Sequence, residues 1–385
     1  MSKPLIIRAC TVSQSLGFVK GLLPELKKKY EVILLSSPGS EMDELMATYD
    51  VRGIGVNMER HISLFKDIVS LVKIIHIFFQ EKPNMVHSMT PKAGLLCMVA
   101  AWVTRVPIRV HTFTGLVFPT STGLKKKILM FTDWLTCACA THVIPEGEGV
   151  KNDLLNNGIT KKQLKVLGYG NVRGVDMDYF SVENFKQRVD SSNYLNLKID
   201  NPESVTFLFV GRIVRDKGIN ELVEAFSMLH KKYSSTRLWL VGPYEDELDP
   251  ISEEASDEIS NNDSIKVVGV KQGDGLLAYY ASADCFILPS YREGFPNTVL
   301  EAGAMGLPCI VTDINGSREI IENNVNGLIV PSKDVDALYK AMKIMIEDKI
   351  TRKQMASVSR QKIAERFEQS FVRKCLYDFY DTILG

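Results

Sequence analysis

Ser290-Tyr291-Arg292-Glu293-Gly294-Phe295-Pro296-Asn297-Thr298-Val299-Leu300-Glu301 places two carboxylates, Glu293 and Glu301, on either side of a turn that opens a helix. The run before it, Ala283-Asp284-Cys285-Phe286-Ile287-Leu288, is short and mostly apolar and stops at Pro289, the pattern of a buried parallel strand. Gly294 and Pro296 mark a tight turn, and Asn297 to Met305 has helical composition. The order is strand, loop with a carboxylate, helix N-terminus, then a second carboxylate within the helix. Backbone N–H groups at such an N-terminus suit a phosphate, and carboxylates accept hydrogen bonds from hydroxyls. A ligand with sugar hydroxyls at both ends and phosphate between them is a nucleotide sugar.

A second constellation upstream fits the same ligand. The strand Val205–Val210 runs into Gly211-Arg212-Ile213-Val214-Arg215-Asp216-Lys217-Gly218, and a helix follows from Asn220 to Tyr233. Gly211 lets a phosphate approach the backbone. Arg212 and Lys217 put two cations at the carboxyl end of a strand, where ligands sit in open α/β sheets. A planar guanidinium fork and a mobile ammonium make a suitable pair for a diphosphate leaving group. Taken singly, these carboxylates and cations read equally well as solvated surface charge; their order along the chain carries the functional reading.

The rest of the chain repeats the strand–helix alternation. Candidate strands in the first half are Leu5–Cys10, Glu31–Ser36, Gly53–Asn57, Met85–Ser88, Ile108–Phe113, His142–Ile144 and Leu164–Leu167. Helices are expected at Leu16–Lys29, Glu41–Tyr49, Ser63–Gln80, Lys92–Thr104, Leu124–Ala140 and Gly149–Asn156. The second set begins at Val205 and adds strands at Leu238–Val241, Ile265–Val268, Cys285–Leu288, Cys309–Thr312 and Leu328–Val330; Thr351 to Leu384 is helical in composition. Such alternation implies βαβ units and parallel sheets. At 385 residues the chain is too long for one ordinary core. The expected division is a first Rossmann-like domain over 1–188, a polar linker over 189–204 and a second over 205–370.

Composition, 45% hydrophobic and 24% charged, is that of an ordinary globular protein. The seven cysteines form no C-x-x-C and read as reduced thiols of a cytoplasmic protein. Met1-Ser2-Lys3-Pro4 leads directly into a strand, with no signal-peptide pattern. No apolar stretch reaches the roughly 20 residues that span a bilayer. Net charge is zero but uneven: residues 1–170 hold 21 Lys and Arg against 13 Asp and Glu. A basic first half implies attraction to an anionic surface, including that of a membrane. Lys125-Lys126-Lys127 is followed at once by Ile128-Leu129-Met130-Phe131, with Trp134 beyond. That is the composition of a helix lying in a membrane interface, and a helix buried in the core explains the same apolar residues equally well.

The chain resembles the family 4 glycosyltransferases, retaining and metal-independent enzymes of the GT-B fold. The resemblance rests on Gly211-Arg212 with Lys217-Gly218, Leu240-Val241-Gly242, and Glu293-Gly294-Phe295-Pro296-Asn297 with Glu301-Ala302. It continues through Gly306-Leu307-Pro308, Asn315-Gly316 and Asn326-Gly327-Leu328-Ile329-Val330-Pro331. Thr90-Pro91-Lys92-Ala93-Gly94-Leu95 and Arg105-Val106-Pro107-Ile108-Arg109 resemble the branch that extends capsule or O-antigen-type glycans on polyprenyl diphosphate carriers. The resemblance implies two Rossmann-like parallel-sheet domains facing a central cleft, with a final helix, 371–385, crossing back to the first. It implies that Arg212 and Lys217 hold the donor diphosphate, that Glu293 orients the hexose and that Glu301 binds the ribose. Backbone groups of Gly294, Phe295, Pro296, Asn297 and Thr298 would contact phosphate or sugar, and the base would rest near Val268, Gly269 and Val270. His111, at a strand's carboxyl end, matches a family histidine that hydrogen-bonds the donor sugar; a core histidine satisfied by backbone is the plainer reading. Gly17, Arg60, His87 and Lys92 are candidates for the acceptor, with His87 reading as structural or acceptor-lining.

The implied activity is transfer of a hexose or N-acetylhexosamine from a nucleotide donor, with UDP favoured, to a polyprenyl-diphosphate-linked glycan. No cofactor, metal or nucleic acid is implied, and the expected location is the cytoplasmic face of the membrane. The first loop, Thr11-Val12-Ser13-Gln14-Ser15-Leu16-Gly17, has one glycine where many family members have two. Asp176-Met177-Asp178 and Asp334-Val335-Asp336 have the spacing of a metal-binding pair, but neither follows a convincing strand. Rival readings are a nucleotide-sugar epimerase or phosphorylase on the same fold, or a non-catalytic glycan- or membrane-binding subunit. The presence of Arg212, Lys217 and Glu293 favours transfer.

Overall fold

In the computed structural model, which describes residues 3–59, 63–189, 204–245 and 249–385, the strands form two six-stranded sheets. The first contains β1 (Leu5–Ala9), β2 (Glu31–Ser36), β3 (Arg52–Gly55), β4 (Met85–Met89), β5 (Ile108–Phe113) and β6 (His142–Pro145) in the order β3-β2-β1-β4-β5-β6. The second contains β7 (Thr206–Val210), β8 (Arg237–Val241), β9 (Ile265–Gly269), β10 (Cys285–Leu288), β11 (Cys309–Thr312) and β12 (Gly327–Val330) in the order β9-β8-β7-β10-β11-β12. Every pairing is parallel. Counted within its own half, each sheet has the doubly wound order 3-2-1-4-5-6. Strand order therefore reverses between β1 and β4 and again between β7 and β10, and such reversals open ligand crevices at the strands' carboxyl ends.

The strand residues explain the layering. Ile7 and Ala9 of β1 enter one apolar cluster while Ile6 enters another, as side chains alternate across a strand. Both faces are covered by helices, which is why the strands read as unbroken apolar runs rather than alternating ones. The first face carries the helices Leu64–Glu81, Pro91–Val103 and Gly123–Cys139; the opposite face receives Leu376 and Tyr380 of the final helix, Gln369–Leu384.

The chain divides into one unit of Met1–Arg173 with Ser370–Gly385 and a second of Gly174–Gln369. This corrects the expected boundary: residues 174–188 belong with the second unit, because Val175, Phe180 and Phe185 lie in its apolar core. Residues 190–203, nearly all of the expected linker, lie outside the described residues.

Three other expectations change. Leu164–Leu167 is irregular rather than a strand; its apolar character reflects Leu164 reaching the core, which periodicity does not separate from strand pairing. The expected helix Leu16–Lys29 is a 3₁₀ turn, Ser13–Leu16, followed by two short helices, Gly17–Lys20 and Leu23–Lys29. Pro24 is the cause: without an N–H it fits only a helix's first turn, so the helix restarts there. The helical stretch after Thr351 breaks at Glu368, where Gln369 donates to the Val175 carbonyl at 3.0 Å and Val175 donates to the Phe367 carbonyl at 2.8 Å.

Candidate active site

The loop after β7 folds into a 3₁₀ turn, Arg215–Lys217, and ends at Gly218. Gly218 has φ 71°, and a Cβ there would lie 2.1 Å from the Pro289 carbonyl oxygen. Only glycine permits that approach, which brings the loops after β7 and β10 together at the reversal point. Tyr291 N–H donates to the Asp216 carbonyl at 2.9 Å, and Arg292 Nε donates to the Asp216 carboxylate at 3.0 Å. Across this seam the Lys217 ammonium donates to Glu293 Oε1, and both side chains are mostly buried, 18% and 14% exposed. Ser290 Oγ donates to the same carboxylate oxygen at 2.8 Å. An ammonium carries three donors, so a lysine held by one carboxylate retains capacity for a phosphate oxygen.

Helix Asn297–Ala304 starts beside Glu293. Its N-cap is Pro296, which offers no side-chain cap, and Asn297 and Thr298 of its first turn are half-buried. The Phe295 ring packs on Phe367 in the core, so only the backbone of Gly294-Phe295-Pro296 remains to meet a ligand. Glu301 is 8% exposed and accepts from the Tyr280 hydroxyl at 3.1 Å, so the carboxylate is held rather than freely solvated.

The remaining donor-side expectations separate. Arg212 pairs not with Glu293 but with Glu245, at 2.5 Å and partly exposed. Gly211 uses its N–H on the Val241 carbonyl at 2.9 Å, which takes that amide away from a phosphate. Val268, Gly269 and Val270 stand at the end of edge strand β9, where Val270 is exposed and Gly269 has open space above it.

In the first unit His111 is buried, with Nδ1 2.9 Å from Ser88 Oγ and its ring edge-on to Phe113. Gly94 makes room for it: a Cβ there would stand 2.4 Å from the ring. Burial pushes the imidazole down to about 3, so His111 is neutral at physiological pH. The acceptor candidates change more. His87 is buried, on the wall of a cavity that Arg8, Thr112, Glu146 and Asn171 also line: Nδ1 meets the Tyr380 hydroxyl at 2.5 Å and Nε2 meets Thr112 Oγ1 at 2.7 Å. Arg8 donates to the same phenol at 2.6 Å. Arginine only donates, so the phenol oxygen accepts from Arg8 while it shares a hydrogen bond with Nδ1. Burial first, and then the Arg8 charge, hold His87 well below its ordinary value.

Lys92 is bound to both oxygens of Asp67, at 2.6 and 2.7 Å, joining two helices. Gly17 is helical and exposed, and a Cβ there would meet nothing within 4 Å. Nothing in the protein itself therefore requires glycine at that position. Arg60 lies outside the described residues. The reversal point of this sheet is closed by Thr11 and Thr90, whose hydroxyls are 2.7 Å apart. Thr90 also accepts from Thr11 N–H at 3.0 Å and has φ 70°, a strained backbone for a β-branched residue.

Both D-x-D strings have local work. Asp176 Oδ1 accepts the N–H groups of Asp178 and Tyr179, and Asp334 caps the helix Val335–Glu347 through Ala337 N–H. The Arg8–Tyr380–His87 network and the Thr11–Thr90 pair were not anticipated. The available signals were an arginine inside the strand Leu-Ile-Ile-Arg-Ala and two threonines ending neighbouring strands.

Residues 198–362 match the family described as Glycosyl transferases group 1, and residues 18–170 match Glycosyltransferase Family 4. The chain belongs to the family 4 glycosyltransferases and has the GT-B fold. It is 32% identical over 387 residues to the capsular polysaccharide biosynthesis glycosyltransferase CapM of Staphylococcus aureus, covering 100% of this chain and 98% of that protein. It is 26% identical to the UDP-Gal:alpha-D-GlcNAc-diphosphoundecaprenol alpha-1,3-galactosyltransferase of Escherichia coli, over 80% of this chain and 78% of that one. A glycosyltransferase structure from Rickettsia africae superposes with a TM-score of 0.77 at 20% identity, covering 100% of both chains, and speaks for the fold.

Proposed function

We propose that the chain transfers a hexose or N-acetylhexosamine from a UDP-sugar to a diphospholipid-linked glycan during surface polysaccharide synthesis, retaining anomeric configuration and using no metal. The observation that carries the reading is the Lys217–Glu293 pair at the reversal point beside the helix that starts at Asn297. In it a cation for the departing diphosphate and an acceptor for sugar hydroxyls are held together by the loops that meet there. The names of the Staphylococcus aureus and Escherichia coli relatives support the polysaccharide and lipid-diphosphate context.

In the proposed reaction the acceptor oxygen bonds to the anomeric carbon as the bond to the diphosphate breaks. The acceptor's proton passes to a phosphate oxygen on the same face, since none of the candidate side chains stands as a covalent nucleophile. Lys217 offsets charge growing on the leaving group, an effect strongest when the donor is preorganised and sheltered from water. Glu293 orients the sugar, and Glu301 accepts from the ribose.

The test is thermal unfolding with UDP, GDP or ADP, each in EDTA. A ligand at about 100 times its Kd stabilises by about 2.7 kcal/mol, a shift of several degrees. A selective rise with UDP, followed by transfer from a UDP-sugar in EDTA, is the expected result. A rise only with GDP would reject the donor, and a rise only after Mg²⁺ is added would reject metal independence.

A further inference from the structure

Arg8 stands inside β1 and is 1% exposed. A guanidinium does not lose its proton in a protein, so a full positive charge is carried into the core of the first unit. Buried charges are normally paired, because leaving one uncompensated is costly. Among the described residues, however, Arg8 forms no ion pair. Its neighbours His87 and Tyr380 do not offset the charge. Burial, and then the Arg8 charge itself, hold the imidazole neutral, and burial pushes the phenol up.

The guanidinium is satisfied on one side only. Nη1 donates to the Tyr380 hydroxyl at 2.6 Å. Nη2 reaches the Met89 thioether at 3.1 Å, a weak acceptor, and Nε is buried with no hydrogen-bond partner. The edge that carries Nε and Nη2 is the one that takes the two oxygens of a carboxylate side by side. In Arg8 that edge meets no oxygen from the described residues.

Arg8 also lines a cavity, with His87, Thr112, Glu146 and Asn171 as its other polar residues. The remaining wall is apolar and includes Ile144, Leu167 and Val172, with Val372 and Leu376 of the final helix. Its volume exceeds what a single water needs, which suits an ion the size of formate or acetate. Glu146 shares the wall but is not a partner of Arg8. A dianion such as phosphate or sulfate would press two charges against apolar groups and a neighbouring carboxylate, whereas a monoanion balances one guanidinium.

We propose that this cavity binds a small monocarboxylate, with its oxygens on the Nε–Nη2 edge of Arg8 and its carbon end against the apolar wall. The ligand ties β1 to the final helix. The site lies wholly within the first unit, and the inference does not rest on the transfer reading.

The test is thermal unfolding of the full-length protein at neutral pH in sodium formate, acetate, phosphate or sulfate, each compared with sodium chloride at matched ionic strength. Formate and acetate are expected to raise the melting temperature saturably, by several degrees at about 100 times Kd, while phosphate and sulfate do not. Arg8→Met removes the guanidinium and is expected to abolish the response. Val172→Phe fills the cavity from its apolar side with Arg8 in place, is expected to abolish the response as well, and decides the matter where Arg8→Met does not fold. An added carboxylate can also meet the Lys217 ammonium, so the response is measured in Lys217→Ala, where it is expected to persist. The proposal is overturned by an unresponsive wild-type protein, by a response that Arg8→Met retains, or, where that variant does not fold, by one that Val172→Phe retains. A response lost in Lys217→Ala assigns the ion to the other unit and overturns it too, as does a rise with phosphate or sulfate and none with formate or acetate.

Discussion

Where strand order reverses between β7 and β10, the adjoining loops meet through Lys217 and Glu293; where it reverses between β1 and β4, they meet through Thr11 and Thr90. The topology is the same at both places, so topology does not decide the chemistry. The second unit holds a mostly buried ion pair beside a helix with no side-chain cap. The first unit closes its seam with neutral hydroxyls, and Thr11 Oγ1 accepts the Ala93 N–H at the start of the next helix, at 3.1 Å. An ion pair of opposite charges can be recruited by a charged ligand, whereas a neutral hydroxyl pair brings no charge to one. The first unit instead buries His87 and His111, both held neutral at physiological pH by burial.

The sharpest way to break this contrast is at Lys217. Lys217→Ala is expected to lower kcat by about 10²–10³-fold, the scale for losing one preorganised electrostatic contact. Its urea midpoint should fall as well, because Glu293 is left mostly buried without its cation, while the protein stays folded under assay conditions; unchanged turnover in a UDP-sugar assay would remove the functional half of the comparison. Next in size is Tyr380→Phe, which takes the shared hydroxyl from Arg8 and His87. Leaving these buried groups without it is expected to cost about 2–3 kcal/mol in urea unfolding, with UDP binding unaffected.

Acid separates the units by a third route. His111 is held at about 3 in the folded protein, below its unfolded value near 6.5, so the unfolded chain binds the extra proton between those values. Stability is therefore intact above pH ~6.5 and falls as pH drops toward 3. By pH 5 His111 alone accounts for about 2 kcal/mol, and His87 acts in the same direction. Urea unfolding from pH 7 to pH 5 checks this, and a flatter pH dependence is expected in His111→Gln. The smallest effect is expected at the neutral seam. Thr11→Val should cost about 1 kcal/mol of stability and leave Lys217-dependent catalysis alone.

The donor-side loop was legible because its signals are local: a strand ending at Pro289, glycines at the turn, and carboxylates spaced across a helix start. The pairing of Lys217 with Glu293, rather than a common cluster with Arg212, was not, because Gly218 sets it through contact with Pro289, far along the chain. His87 was legible as a structural or acceptor-lining residue, but its partner was not, because the Tyr380 hydroxyl that meets it lies 293 positions later. The returning helix was anticipated through family resemblance, while its anchor at Arg8 depends on contacts that periodicity does not encode.

That anchor bears on how the protein is made. As the chain leaves the ribosome, the whole second unit emerges before Ser370–Gly385 does. Until then Arg8 and His87 lack their phenol and Leu376 and Tyr380 are missing from the core they complete. Synthesis thus runs against the usual order in which the first domain matures first. A stalled or truncated product carries a finished second unit joined to an incomplete first unit with exposed apolar surface. Such products are expected to be preferred clients for chaperones and proteases.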